Sequence, residues 1–531
     1  MVLVRLKMEY QRKVQSKIIN RIARGYWIKL IGFFSLCIIL AMVSQCSVSS
    51  AGLQTLTRQS KPVTGRFSAR KFKKIVRQLL AQPALESAII GVHIEEVESG
   101  RIIFSQNANT LLMPASNMKL FTTATGLTKL GGDYRYRTEL YLDGQVKDGV
   151  LVGNLIVKGS GDPTINKRYH NGDALKLFKD WADSLKVQGI YRINGKIIGD
   201  DNIFDDIGWG PAWSWDYLWY NYAAPTGGLV FNDNCLDLVC SAGKAVGEPA
   251  SLSVVPATEY FQFDNNLTTT TAGAGSEMDY YRYPGTEKFN FFGQIPLDAD
   301  TIRDNIAVAN PTTYFLTVFK ETLNQCGISA GAIVDVDDST VGNLNYGEMK
   351  LCAIYQSLPL REIVFTINKI SQNLYAEQLQ KTIGIENNSS TKQPDGIVIE
   401  REWLGSIGID TNQIFIVDGS GLSRLNLVTP FQVVQLLKAM RVSPHWPDYL
   451  NSLPIGGVDG TLKNRFQGSG VVGHVFAKTG YIGRVRALSG YVDGKSGRQF
   501  IFSIIANHYA VPTREINDLQ DTIIDLLYNL R

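Results

Sequence analysis

Apolar and polar residues alternate from Ala88 to Val97 and again from Arg101 to Ser105, the two-residue period of β-strands, and this predicts a hairpin. Residues 72–81 ahead of it read as a helix. Behind it, Met113-Pro114-Ala115 looks like the start of a helix, where proline is acceptable in the first turn, and Leu120, Ala124 and Leu127 supply its buried stripe. After about residue 140 the texture changes to short strands and turns, such as Leu151 to Val157. Helices are predicted at Ala174–Gln188 and Thr312–Gln325, separated by an aromatic- and loop-rich stretch from Trp209 to Arg303. From about residue 350 the first texture resumes. It ends in a second alternating hairpin (484–493, 498–507) and a helix with Ile516, Leu519, Ile523, Leu526 and Leu530 on one face. The expectation is an α+β fold in which helices cover both sides of an antiparallel sheet. That αβα part spans 71–140 and 350–531, and a mainly β insertion of one or two domains (141–349) interrupts it.

Residues 1–50 stand apart. A basic stretch from Arg5 to Lys29 precedes an apolar run from Ile31 to about Val48, the pattern of a secretory signal or an N-terminal membrane anchor. Polar Ser35, Ser44 and Gln45 within the run favour cleavage, near Ser50–Ala51, over permanent spanning. Cys46 reads as an ordinary leader cysteine, because Gln45 replaces the small residue that precedes a lipid acceptor. A polar linker (51–70) follows. The chain is therefore expected to be exported, into the periplasm or cell envelope, with membrane association possible through its N-terminus. The leader also distorts the charge: it holds eight of the 53 Lys and Arg but one of the 49 Asp and Glu, so the net +4 hides about −3 on the remainder. No basic surface for nucleic acid is implied. With 531 residues, 44% hydrophobic and 19% charged, the chain is long enough for about three domains.

Export permits disulfides among Cys235, Cys240, Cys326 and Cys352. Five strand steps separate Cys235 from Cys240, roughly 16–17 Å, too far for a bridge, so these two read as buried thiols. No Cys/His spacing for a metal is present, and no cofactor is expected.

Three short motifs carry chemistry: Ser116-Asn117-Met118-Lys119, Ser371-Gln372-Asn373 and Lys478-Thr479-Gly480. Serine followed three residues later by lysine also occurs at Ser68, Ser241 and Ser389, but in a basic run and two loop-like stretches; the ordered set is what informs. A serine hydroxyl needs a partner to take its proton, and residues three apart share a helical face, so Lys119 would point beside Ser116. Backbone N–H groups at a helix N-terminus suit a developing oxyanion. Lys119 serves as a base only if its pKa falls about three units from 10.4; burial would do part of that and the second cation Lys478 more. Ser371 and Asn373 alternate along their segment and could face one cleft, to relay a proton and hold a substrate amide. Lys478 and Thr479 would meet a carboxylate, while Gly480 would let a substrate backbone lie close to the strand edge.

On these motifs the chain resembles the low-molecular-mass class C penicillin-binding proteins, the D-alanyl-D-alanine carboxypeptidase/endopeptidase family of peptidase clan SE. Lys158-Gly159-Ser160-Gly161-Asp162-Pro163, Asp418 to Arg424 and Leu453 to Thr461 match as well, as does the long chain between Ser116 and Ser371. The resemblance covers about residues 70–531. It implies a DD-peptidase/β-lactamase-like catalytic domain, peptidoglycan stem peptides as substrate and β-lactams as covalent inhibitors. It makes Ser116 the nucleophile, Lys119 the base, Ser371 the proton relay, and the backbone N–H groups of Ser116 and Tyr481 the oxyanion hole. Asn373, Lys478, Thr479 and Gly480 complete the site, Arg424 matches a position that meets the stem, and Asp216 one that recognises an amino group on its third residue. Relatives carry Thr or Ser where this chain has Tyr481, which removes a small hydroxyl from the carboxylate site.

Other residues carry plainer readings. His474 reads as a packed strand histidine rather than a base, Gly419-Ser420-Gly421 as a turn beside the cleft, and the Trp and Tyr residues at 209–222 as packing rather than a glycan platform. A β-lactamase and a non-enzymatic wall-binding or β-lactam-sensing protein are the alternatives to hydrolysis of D-Ala-D-Ala ends and D-Ala crosslinks.

Overall fold

The two hairpins from opposite ends of the chain meet in one five-stranded antiparallel sheet. Its order is Val475–Ile482, Val485–Asp493, Gln499–Asn507, Ile89–Glu96, Ile102–Gln106. The computed structural model describes residues 68–337, 341–387 and 395–531. The leader, its cleavage position, Cys46 and nearly all of the expected linker lie outside the described residues, as does Ser389.

Every residue from Phe500 to Asn507 is buried, so the sheet is covered on both faces. Ile501 and Ile505 join a core with Val433, Val434 and Leu437 of the helix Pro430–Arg441. The helices Ala69–Leu80 and Thr513–Tyr528 pack on one another and on the same sheet. Ser68 accepts a hydrogen bond from Lys71 N at 3.3 Å, so the first Ser-x-x-Lys is a helix cap.

The helix Met118–Leu130 runs through the core, buried at every position from Met118 to Leu127. Its threonines are buried with it because each hydroxyl finds a carbonyl: Thr123 donates to Lys119 O (2.6 Å), Thr125 to Phe121 O (2.9 Å) and Thr122 to Gly419 O (2.9 Å). Gly126 leaves room for Leu379 of the helix Asn373–Asn387, whose Cδ2 would lie 2.8 Å from an added Cβ.

The inserted part has its own core, centred on Phe178, Trp181, Phe231, Phe315 and Phe319. A six-stranded mixed sheet contains Arg137–Lys147 and Val150–Lys158 as an antiparallel pair, with Lys350–Gln356 on one edge and Ile333–Asp335 on the other. Two three-stranded sheets follow, one built on Cys235–Ser241 and one on Lys288–Pro296. The change of sheet falls at Arg137 and Gln356 rather than at 140 and 350, because the first and last strands of the insert pair with each other. The helices Lys176–Val187 and Pro311–Gln325 stand within two residues of their predicted bounds. Cys235 and Cys240 are buried free thiols, and Cys326 and Cys352 are free as well.

Candidate active site

Ser116 does not open the long helix as expected. It sits in a single 3₁₀ turn, Ala115–Asn117, ahead of Met118. Ala115 has φ +47°, a conformation that a residue with a Cβ seldom adopts. Three contacts impose it. Asn507 donates to Met113 O (3.1 Å) and accepts from Met113 N (2.8 Å), tying the turn to the central sheet. Gly421 and Gly480 close on it from two sides: a Cβ at Gly421 would fall 1.9 Å from Ala115 O, and one at Gly480 2.5 Å from Pro114 O. The space left by the missing Gly480 side chain is thus taken up by the turn that carries Ser116.

Lys119 lies one helical turn on, fully buried. Its Nζ donates to Ser116 Oγ (3.1 Å), Asn373 Oδ1 (2.5 Å) and Ser420 O (2.7 Å). Burial pushes its pKa down to about 7, against the pull of Glu377 and Asp418. The shift comes from desolvation, not from Lys478. Lys478 instead is itself pushed well below the ordinary lysine value, by burial first and then by Lys119 and Arg486. Its Nζ donates to Ser371 Oγ (2.9 Å) and Thr479 O (3.0 Å).

Ser371 and Asn373 reach the cleft differently from the alternation expected of them. Ser371 is held at φ +63° in a kink, and Asn373 is the first residue of the helix Asn373–Asn387. Asn373 Nδ2 donates to the carbonyl of Tyr222 at 2.6 Å, so the insert helps to orient it. Two strained residues, Ala115 beside Ser116 and Ser371 itself, therefore lie at the cleft; such strain persists only where surrounding structure imposes it.

Val475–Ile482 is the edge strand facing this cleft. Its outward backbone groups can be identified from its first residues. Ala477 N donates to Pro454 O (3.0 Å) and Val475 O accepts from Gly456 N (2.8 Å), outside the sheet. Alternation then turns the N–H and C=O of Thr479 and Tyr481 outward as well, beyond the reach of Pro454–Gly456. The Tyr481 N–H is thereby turned away from the neighbouring strand, toward the cleft that Tyr481 and Ser116 both line.

The cleft encloses about 490 Å³, and its wall includes Ser116, Ser371, Asn373, Leu422 and Tyr481 together with Tyr217 and Tyr222 of the insert. Tyr481 is 57% exposed, and its ring centre lies 5.5 Å from the Arg486 guanidinium. Arg424 stands at the rim, donating to Gly483 O at 3.0 Å. Asp216 is exposed in the turn Trp215–Tyr217, accepts from Ser214 Oγ, and is not part of the cleft wall; its neighbour Tyr217 is. His474 is exposed ahead of the edge strand, its ring 5.2 Å from that of Tyr528, so it is not a packed strand residue.

Sequence reasoning missed the groups behind the motifs. Asp418 accepts from Gly421 N, Ser423 N, Asn426 Nδ2 and Trp213 Nε1 at 2.6–2.9 Å, fixing the turn that carries Ser420. Glu377 accepts from Gly419 N and Ser420 N in the same turn. Its place one helical turn after Asn373 was the available signal.

Residues 72–530 match the D-Ala-D-Ala carboxypeptidase 3 (S13) family. A D-alanyl-D-alanine carboxypeptidase of Actinomadura sp. (strain R39) is 32% identical over 470 residues, covering 86% of this chain and 85% of that one. The D-alanyl-D-alanine carboxypeptidase DacB of Haemophilus influenzae is 26% identical over 405 residues, 75% of this chain and 81% of its own. The crystal structure of penicillin binding protein 4 from the same organism superposes with a TM-score of 0.74 at 24% identity, covering 85% of this chain and 99% of that one, and so shares the fold.

Proposed function

The chain belongs to the D-Ala-D-Ala carboxypeptidase 3 (S13) family, and from that premise we propose how its own residues carry the reaction. It is a serine-type D-Ala-D-Ala carboxypeptidase that acts on peptidoglycan outside the cytoplasm and is acylated by β-lactams. Neutral Lys119 takes the Ser116 hydroxyl proton as Oγ attacks the carbonyl carbon of the penultimate D-Ala. The oxyanion forms against the backbone N–H groups of Ser116 and Tyr481. The C–N bond then breaks, and the departing amine receives a proton through Ser371 Oγ, which Lys478 holds. Water hydrolyses the resulting ester by the reverse proton path. A D-Ala crosslink presents the same carbonyl, so endopeptidase cleavage follows the same course. Residues 1–50 would deliver the chain across the membrane.

The observation that carries this reading is the Lys119 amine, buried, titrating near 7 and 3.1 Å from the Ser116 hydroxyl. A lysine exposed to water would stay charged there. Incubating the chain from residue 52 onward with benzylpenicillin and following intact mass tests it. A lasting adduct on the native chain, absent from Ser116→Ala, is the expected result. Adduct on both chains, or on neither, would remove Ser116 from the role.

Tyr481 bears on substrate preference. Its side chain places no small hydroxyl beside Thr479, so a free terminal carboxylate has one donor fewer. Tyr481→Thr is expected to lower KM about tenfold for a peptide ending in D-Ala-D-Ala, the size of one hydrogen bond to a charged group. Steady-state kinetics on the peptide and on a crosslinked dimer measure it; an unchanged KM for the peptide would leave Tyr481 without influence on carboxylate binding.

A further inference from the structure

Lys119 is anchored on the carbonyl of Ser420, and the turn bearing that carbonyl is itself held by a carboxylate outside all three motifs. Resting on the reading of Lys119 as base, the geometry points to Glu377 as a positioning residue that stabilises the ammonium formed when Lys119 takes the Ser116 proton. Glu377 lies four residues after Asn373 on the helix Asn373–Asn387, so both face the turn and Lys119. Asn373 Oδ1 meets the amine directly, at 2.5 Å. Glu377 acts one step behind: Oε1 accepts from Ser420 N (2.8 Å) and Oε2 from Gly419 N (3.1 Å), while Ser420 O accepts from Lys119 Nζ (2.7 Å).

Two N–H donors, one to each carboxyl oxygen, fit an ionised acid. Protonation would weaken one oxygen as an acceptor, and an amide would turn its NH₂ toward a donor that offers nothing to accept. No proton passes to Glu377 in the step. Ser116 loses one, Lys119 gains it, and the carboxylate meets the new positive charge across the Ser420 residue.

The surroundings make that charge count. Asp418 faces Glu377 from the turn, Lys119 from the helix Met118–Leu130 with Lys478 beyond it, and Glu400 from the helix Gly396–Ser406. Glu400 accepts from Gln380 Nε2 at 3.0 Å, its other oxygen meets no hydrogen-bond partner among the described residues, and burial pushes its pKa up to about 8. Lys381, on the same helix as Glu377, is paired with Asp205. Burial and the neighbouring Asp418 push Glu377 up to about 7, where Lys119 also titrates. A separate cavity of about 350 Å³ has Glu377, Gln380, Lys381 and Asp395 in its wall and shares no lining residue with the Ser116 cleft.

The test is the pH profile of acylation by benzylpenicillin in the native chain, Glu377→Gln, Glu377→Met and Glu377→Asp. Only neutral Lys119 takes the proton, so the native rate rises with pH through about 7. Removing the negative charge weakens Lys119's hold on its proton. Either neutral variant should therefore move the midpoint down by about one pH unit and lower the plateau rate about tenfold. Glu377→Asp keeps the charge and should keep the native midpoint. A clamp that merely held the turn would lower the rate at every pH and leave the midpoint in place; that result, in whichever neutral variant folds, overturns the assignment. Native chain that is not acylated at all would count instead against Lys119 as base.

Discussion

Arginine in place of Lys119 is expected to slow acylation of Ser116 by roughly 10²–10⁴, the usual contribution of a positioned acid–base group. The amine is useful because burial brings it to about 7, so that a neutral form is available near neutral pH. A guanidinium in the same pocket stays charged and accepts nothing. Raising the pH separates the two enzymes further: the native rate climbs as Lys119 loses its proton, whereas the arginine variant has no group to deprotonate. Lys119→Met serves as the companion. It keeps the stem's volume inside a fully buried site and removes both the base and a charge that the site must otherwise desolvate. The second-order rate constant for benzylpenicillin, read with the thermal midpoint of each variant, separates lost chemistry from lost fold. A well-folded arginine variant within tenfold of native would mean that another group takes the Ser116 proton. Lys478 would be that group, because it is buried and also pushed well below its usual value.

How much of this was legible beforehand follows from the range of each interaction. The motifs were legible because each is local: Ser116 and Lys119 are three residues apart, and Thr479 and Tyr481 lie on one strand. Alternation likewise located both hairpins of the central sheet. It did not show their strand order, nor the parallel pairs of the insert, since pairing is a contact between distant segments. The carboxylates behind Lys119 were missed for the same reason. Glu377 meets the Ser420 N–H across 43 residues, Trp213 reaches Asp418 across 205, and Asn373 finds the Tyr222 carbonyl across 151.

Where local reading failed outright, tertiary contacts had overridden the backbone. Ser371 and Asn373 read as alternating along one extended segment, yet Ser371 adopts φ +63°, its hydroxyl accepting from Lys478, while Asn373 starts a helix. Nor could the sequence show that a Cβ on Gly480 would meet the carbonyl of Pro114, a residue 366 positions earlier in the chain.

The same packing makes Gly421→Ala the substitution expected to do most harm to the fold around the nucleophile. Two separate costs combine there. Gly421 has φ +83°, where a Cβ costs roughly 1–2 kcal/mol. The added carbon would also fall 1.9 Å from Ala115 O and 2.9 Å from Met118 Cβ, and neither can swing away, because one is backbone and the other the root of a side chain in the central helix. Overpacking of that kind adds roughly 1–3 kcal/mol, for a total of about 3 kcal/mol or more. Gly468 separates the terms: its φ is +75° but an added Cβ there meets nothing within 4 Å among the described residues, so Gly468→Ala should pay only the conformational cost. Denaturant midpoints of the two variants measure the difference, and penicillin acylation reports where the strain goes. If the Ala115 turn yields, Ser116 leaves its 3.1 Å contact with Lys119 and acylation falls while Gly468→Ala stays near native. Equal destabilisation in the two variants would mean that the turn has slack. Gly421 would then be kept for its backbone angle alone, and the nucleophile would owe its strained setting to Asn507 and Gly480 instead.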